Sequence, residues 1–173
     1  MKSEFKITEE FVSIVDTKDH VIGEAPRFGI HETSLLHRAS HIFIFTSQGK
    51  LWVQKRADSC DTFPGFFCSS AAGHVKTGES YEEAAEREVE EELGLKNIKL
   101  KRLYILQASP ETVNEFVGFF VGKSDEKPVM NEESTELLLL SMREVDNLMK
   151  SKEIVPIFRK LFEWYKINEL QVI

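Results

Sequence analysis

Residues 71–95 read AAGHVKTGESYEEAAEREVEEELGL, and from Glu79 to Glu92 they carry eight glutamates with Arg87 as the sole cation. Like charges three and four apart on a helix repel, so this crowding is either solvated or compensated by a cation. Ser80 is a helix N-cap, and Glu83 three residues on completes a capping box. Gly94 suits the position after a helix end, so the spacing predicts a helix over Tyr81 to Leu93. Ala84, Ala85, Val89 and Leu93 recur at helical spacing and define its core-facing side. Glu88, Glu91 and Glu92 stand at i, i+3 and i+4, an arc of about 100°. A solvated face is the plain reading of a glutamate-rich helix. Two features point elsewhere: Glu88 and Glu92 adjoin Ala84 and Ala85, and the helix follows a glycine-bearing loop, Gly73 to Gly78, where backbone can approach a ligand closely. Three carboxylates on one arc suit Mg²⁺ or Mn²⁺, which favour carboxylate and water ligands and are often shared with substrate phosphates. Arg87 can pair with Glu83 and Glu91 one turn away and reach back to the loop that carries Glu79.

Upstream, FVSIVD (Phe11–Asp16), Thr17-Lys18-Asp19 and HVIGEA read as strand, turn and strand. SHIFIFTSQGKLWVQKRA is the strongest hairpin signal, with Ile42, Ile44, Leu51 and Val53 alternating around Ser47-Gln48-Gly49. FFCSSAAGHV, after the Pro64-Gly65 break, reads as one strand of small residues. Downstream come apolar strands in KLKRLYILQA, NEFVGFFVG and TELLLLS. A closing helix aligns Ile154, Ile157, Phe158, Leu161, Phe162 and Tyr165 on one stripe. A mixed sheet with helices on both sides, an α/β/α sandwich, fits this order.

The chain of 173 residues is long enough for one domain with a real core, and the whole of 1–173 reads as that domain. With 42% hydrophobic and 29% charged residues it reads as globular. A formal charge of −7 argues against a nucleic-acid polymer or an anionic membrane as partner. No run reaches the roughly 18 apolar residues of a membrane span, and the opening MKSEFKITEEF lacks the apolar core of a signal peptide. Cys60 and Cys68 read as free thiols of a reducing cytosol, so a cytoplasmic location is expected.

The stretch from Gly73 to Leu95 resembles the Nudix box of the Nudix hydrolase superfamily, G-x5-E-x7-R-E-U-x-E-E-x-G-U with U apolar. Gly73, Glu79, Arg87, Glu88, Val89, Glu91, Glu92, Gly94 and Leu95 fill all its fixed positions. The resemblance implies the Nudix α/β/α sandwich and hydrolysis of a small-molecule diphosphate linked to another moiety. It implies Glu91 and Glu92 as metal ligands, Glu88 as a third ligand or the base, and the Gly73 carbonyl in the metal shell. Arg87 and Glu79 would position the carboxylates and the loop, with Glu79 near the substrate. A homodimer is common in the family. The chemistry agrees with these roles, since a divalent metal neutralises phosphate charge and lowers the pKa of bound water.

The likeness extends over residues 11 to 145. VDTKDHVIGEAPR, LLHRASHIFIF, KLWVQKRA, DTFPGFF and SSAAGHV resemble the branch that includes isopentenyl-diphosphate isomerase, which moves a double bond with a cysteine and a glutamate. That cysteine lies just before the Gly-His of its motif, where this chain has Ala72, and an alanine transfers no proton. Cys68, four residues earlier, does not replace it. His37, His74 and Glu115 match residues of the isomerase metal site and outline a second metal site here, whereas His31 stands one residue short of its expected spacing and Val113 replaces an acid. The plain alternative makes His37 a packing residue and gives His74 a contact with substrate or the glutamates.

Other positions are open to two readings. Arg56, with Lys55, ends the hairpin where it meets substrate phosphates or simply solvent. Glu133 and Glu136 lie where some Nudix enzymes carry an extra base, or form a negative loop. Phe63, Phe66 and Phe67 stack on a base, pack an isoprenoid tail or fill the core. His20 and His41 read as ordinary surface or sheet residues. The expected activity is metal-dependent diphosphate hydrolysis; the rivals are isopentenyl-diphosphate isomerisation and a non-catalytic binding domain. The moiety attached to the diphosphate, nucleoside or isoprenoid, has no motif of its own.

Overall fold

Strand β3 (His37–Phe45) is buried on both faces, and the rest of the computed structural model is arranged around it. Residues 9–172 are described, with side chains through residue 168; the opening residues 1–8, within the segment read above as lacking a leader, lie outside them. Successive β3 side chains alternate between two cores, as the two-residue period of a strand requires. Ile42 and Ile44 point to one side and Phe43 and Phe45 to the other. Along one edge β3 pairs in parallel with β8 (Glu115–Lys123), from His37↔Glu115 to Phe45↔Lys123. Along the other it pairs with β6 (Ala71–His74) and, through Ile14↔His37, with β1 (Phe11–Val15). The β1 strand forms the expected hairpin with β2 (Val21–Pro26), and β7 (Lys101–Leu106) extends the sheet beyond β8.

The turn after β3 forms as the sequence suggests, but the expected hairpin does not continue. Only Phe45↔Leu51 pairs before β4 (Leu51–Arg56) leaves β3 and joins β9 (Ser134–Leu140) and β5 (Phe67–Cys68). Ser70 holds the two strands apart: its hydroxyl accepts from the Ile44 N–H at 2.8 Å and donates to the Trp52 carbonyl at 2.5 Å. The same residue corrects the reading of FFCSSAAGHV as one strand. At Ser69-Ser70 the chain passes from β5, on β4, to β6, on β3, and the Ser70 hydroxyl satisfies backbone groups that a continuous ladder would have paired, while the Ser69 hydroxyl meets His41 Nδ1 at 2.9 Å.

Helix α1 (Tyr81–Leu93) has the predicted bounds, with the reciprocal Ser80–Glu83 capping box and Gly94 in the left-handed region at φ 65. Ala84, Ala85, Val89 and Leu93 lie on the Ile42 and Ile44 side of β3. Helix α3 (Pro156–Val172) covers the opposite side, where Phe43 meets Phe119 at 4.7 Å and Phe158 at 5.5 Å between ring centroids. Ile154 belongs to the stripe's core but precedes the helix, bridging to Phe67. A short helix, α2 (Met142–Leu148), was not anticipated, although Ser141 and Glu144 form its capping box. Helices on both faces of a mixed sheet make the fold the expected α/β/α sandwich. No helix is long and apolar enough to cross a membrane among the described residues.

Candidate active site

Two groups of polar side chains meet at the end of β6, at Gly73 and His74. The first is organised by Arg87, whose guanidinium is a hub. Nε and Nη2 grip Glu79 at 2.7 and 3.0 Å, Nη1 donates to Glu88 at 2.6 Å and to Glu91 at 3.1 Å, and Nη2 also reaches the His74 carbonyl at 3.0 Å. Glu83, expected as a partner of Arg87, is instead taken up by the helix cap at Ser80. Glu79 accepts from the Lys76 N–H as well, so it braces the loop.

Glu88 and Glu92 are buried, 8% and 3% exposed, while Glu91 lies at the solvent edge of the same arc beside Arg87 and Lys76. Glu88 packs on Gly73 so tightly that a Cβ there would sit 1.9 Å from its Oε1. Glu92 accepts from Gln54 Nε2 at 2.8 Å and from the Ala72 N–H at 3.2 Å, and Gln54 in turn accepts from the Ser134 hydroxyl. Burial pushes the Glu88 carboxyl above its ordinary range against the pull of Arg87. Burial and the Glu88 charge push Glu92 well above its own. Two buried carboxylates that share a single cation, Arg87 on Glu88, fit a divalent ion, whose charge would reverse that cost.

The second group is His31, His37, His74 and Glu115, whose ligand atoms all lie within 4.8 Å of one another. Glu115 Oε1 stands 3.2 Å from His74 Nε2, 3.5 Å from His37 Nε2 and 3.9 Å from His31 Nε2. The parallel register His37↔Glu115 and the antiparallel Ala39↔His74 bring three strands together here. His37 Nδ1 lies 3.1 Å from the Leu35 carbonyl, which as an acceptor selects the tautomer with a lone pair on Nε2. That Nε2 is buried without a hydrogen-bond partner, as is His31 Nδ1. The Nε2 atoms of His31 and His74 face each other 3.1 Å apart, a hydrogen bond that a metal ion could replace by taking both nitrogens as ligands. Such a nitrogen–oxygen set fits a metal ion. Burial opposes the Glu115 charge, but His37 and His74 overcome it and hold the carboxyl well below its usual range. His31 completes the cluster that spacing left at His37, His74 and Glu115. Its chain segment turns through Gly29 at φ 76 into a 3₁₀ turn, Ile30–Glu32, with Ile30 buried; the available signal was the spacing to His37, one residue short of the pattern.

Gly73, His74, Glu115 and Arg56 line one cleft of ≈ 70 Å³. Arg56 anchors to Thr62, with Nε 2.9 Å from its carbonyl and Nη2 3.4 Å from its hydroxyl. Glu133 lines the cleft, whereas Glu136 pairs across from Lys55 on the β4–β9 ladder. Ala72 also lines it. Cys68 is a free thiol at the cleft, pushed up to about 11 by burial against the influence of Arg56. His20 is on the surface and His41 within the sheet, as expected.

The sequence model of the family described as NUDIX domain matches residues 35–169. The chain belongs to the Nudix family. It is 34% identical over 127 residues to isopentenyl-diphosphate Delta-isomerase 2 of Photorhabdus laumondii, covering 71% of this chain and 72% of that one. It is 39% identical over 92 residues to the uncharacterized Nudix hydrolase PA4841 of Pseudomonas aeruginosa, covering 53% and 54%. The crystal structure of DR0079 from Deinococcus radiodurans superposes with a TM-score of 0.77 at 25% identity, over 89% of this chain and 98% of that one. The Nudix domain of Shewanella oneidensis NrtR, solved with ADP ribose, shares the fold at a TM-score of 0.61 and 14% identity, over 75% and 86%. This Nudix protein therefore has relatives named as hydrolases and relatives named as isomerases, and its membership and hydrolase relatives place it among the Nudix hydrolase enzymes.

Proposed function

We propose that this Nudix protein is a Mg²⁺- or Mn²⁺-dependent hydrolase that cleaves a diphosphate linked to another moiety. The observation that carries the reading is the buried pair of Glu88, packed on Gly73, and Glu92, held at the Ala72 N–H, beside a cleft where Ala72 supplies a methyl group. Glu88, Glu91, Glu92 and the Gly73 carbonyl would hold the metal, with His31, His37, His74 and Glu115 as a second site. A metal bound there supplies charge neutralisation at the phosphates and a more acidic water. The chain's own groups do the rest. Arg56 binds a phosphate oxygen, Arg87 fixes Glu88 and the loop through Glu79, and Gln54 orients Glu92. Glu88 would accept the proton of the attacking water through a carboxylate oxygen that the metal does not occupy.

The isomerase reading has named relatives in its favour, but it needs one group to give a proton to the double bond and a second to take one away, and Ala72 can do neither. The free thiols support a cytoplasmic setting. Val21 and Ile22, exposed on the outer strand β2, support a homodimer. The test is a diphosphate panel with Mg²⁺ or Mn²⁺, read as phosphate or monophosphate release, with isopentenyl diphosphate included. Glu92→Gln is expected to lose more than about tenfold in kcat. A smaller loss would remove Glu92 from the metal site, and formation of dimethylallyl diphosphate would overturn the reading as a whole.

A further inference from the structure

The loop Asp61-Thr62-Phe63 adjoins the cleft, and none of the chemistry above uses it. It is rigidly placed: the Arg56 N–H donates to the Phe66 carbonyl at 2.9 Å, the Gly65 N–H to the Arg56 carbonyl at 3.1 Å, and the Arg56 guanidinium to Thr62. Phe63 holds φ 48, a left-handed conformation that a bulky residue rarely adopts, and the strained residue sits on the cleft wall. Its ring meets Phe66 at 5.7 Å and packs at the border of the larger core, which leaves a supported aromatic surface beside the cleft. Asp61 also lines the cleft, and no basic side chain pairs with it among the described residues. Its charge reaches both His31 and Arg56.

We propose that Asp61 and Phe63 select the group attached to the diphosphate, and that this group is a planar heterocycle bearing an amino donor. The inference rests on the hydrolase reading and refines its substrate. Arg56 ties phosphate recognition to this loop through Thr62, so a substrate whose phosphates contact Arg56 extends past Asp61 and Phe63. A hydrocarbon tail in that path strips water from the Asp61 carboxylate and returns no hydrogen bond, which is costly. A heterocycle instead lays a face on the Phe63 ring, as bases stack on aromatic side chains elsewhere, and gives an exocyclic N–H to Asp61.

The test compares ADP with IDP and CDP with UDP, each pair differing by an amino-for-oxo exchange, together with dimethylallyl diphosphate. Turnover with Mn²⁺ gives kcat and KM, and calorimetry with AMP, IMP, CMP and UMP gives binding without turnover. The amino member of each pair is expected to be favoured by about tenfold or more, mainly in KM and in Kd, the scale of one charged hydrogen bond. Asp61→Asn should erase or invert the preference, because a carboxamide offers an N–H to an oxo group. Phe63→Leu should weaken every base-bearing ligand alike and leave the ratio within each pair intact. Equal use of amino and oxo partners, a preference for dimethylallyl diphosphate, no nucleotide binding, or an unchanged ratio in Asp61→Asn each overturn the proposal. Amino-selective binding with no hydrolysis would uphold it and sink the hydrolase reading; hydrolysis without selectivity would do the reverse.

Discussion

Gly73 is the residue at which both halves of the candidate site meet. With no Cβ it lets the Glu88 carboxylate rest on the backbone, and its neighbour His74 sends a side chain to Glu115 and a carbonyl to Arg87. Gly73→Ala would put a methyl carbon 1.9 Å from Glu88 Oε1, so the carboxylate must move. Misplacement by about an ångström costs on the order of 10²-fold in rate, and a loss of that size in kcat with weakened Mn²⁺ affinity is expected. Rates within threefold of the parent would show that Glu88 has no role in the chemistry. The helix that carries the acids was legible, because its caps announce its bounds, and so was the glycine loop before it. Two partners of Arg87, Glu91 and Glu79, were legible as well. The third that helical spacing allowed, Glu83, was not available, because Ser80 had already claimed that side chain.

Among the elements, β3 and β4 depart furthest from what alternation suggests. A two-period pattern reports burial, not which strand lies alongside, and both strands stay buried after they separate. The separation depends on Ser70, whose hydroxyl serves the Ile44 N–H and the Trp52 carbonyl at once. Ser70→Ala leaves both backbone groups without that partner, at about 1–3 kcal/mol for each buried group left unsatisfied. Urea unfolding should show a clearly lower midpoint with an unchanged slope; an unshifted midpoint would mean that the hydroxyl is dispensable there. The short helix α2 went unread although Ser141 and Glu144 carry the same capping signal as α1, because its seven residues hold too little apolar periodicity to stand out. His31 escaped for a related reason: a 3₁₀ turn has no sequence period from which to count.

For the molecule as a whole, buried titratable groups set how stability responds to acid. His41 is held neutral, lowered from 6.5 to about 4 by burial against the nearby Glu115 charge. Between those values the unfolded chain takes up a proton that the native state refuses, so His41 lowers stability as pH drops through this window, whereas the raised Glu88 and Glu92 carboxyls act in the opposite direction above the ordinary carboxylate range. The loss contributed by His41 approaches about 3 kcal/mol near pH 4. His41→Gln should flatten the slope of unfolding free energy between pH 6.5 and 4, as measured by urea titration of the metal-free protein; an unaltered slope would place the titration elsewhere. Glu115, depressed by its histidines despite burial, adds a further loss only below the ordinary carboxylate range. The layered architecture was legible from the alternating strands and two amphipathic helices; which strands neighbour one another was not, since partners far apart in the chain leave no local trace. The parallel pairing of β3 with β8 has a kinetic consequence. His37 and Glu115 meet only when that distant register closes, and long-range closure is the slow part of assembly. The turn after β3 yields a single strand pair and so cannot template the sheet. During refolding the histidine cluster should therefore be among the last features to appear, and metal capture by the nascent chain would time the arrival of the native topology.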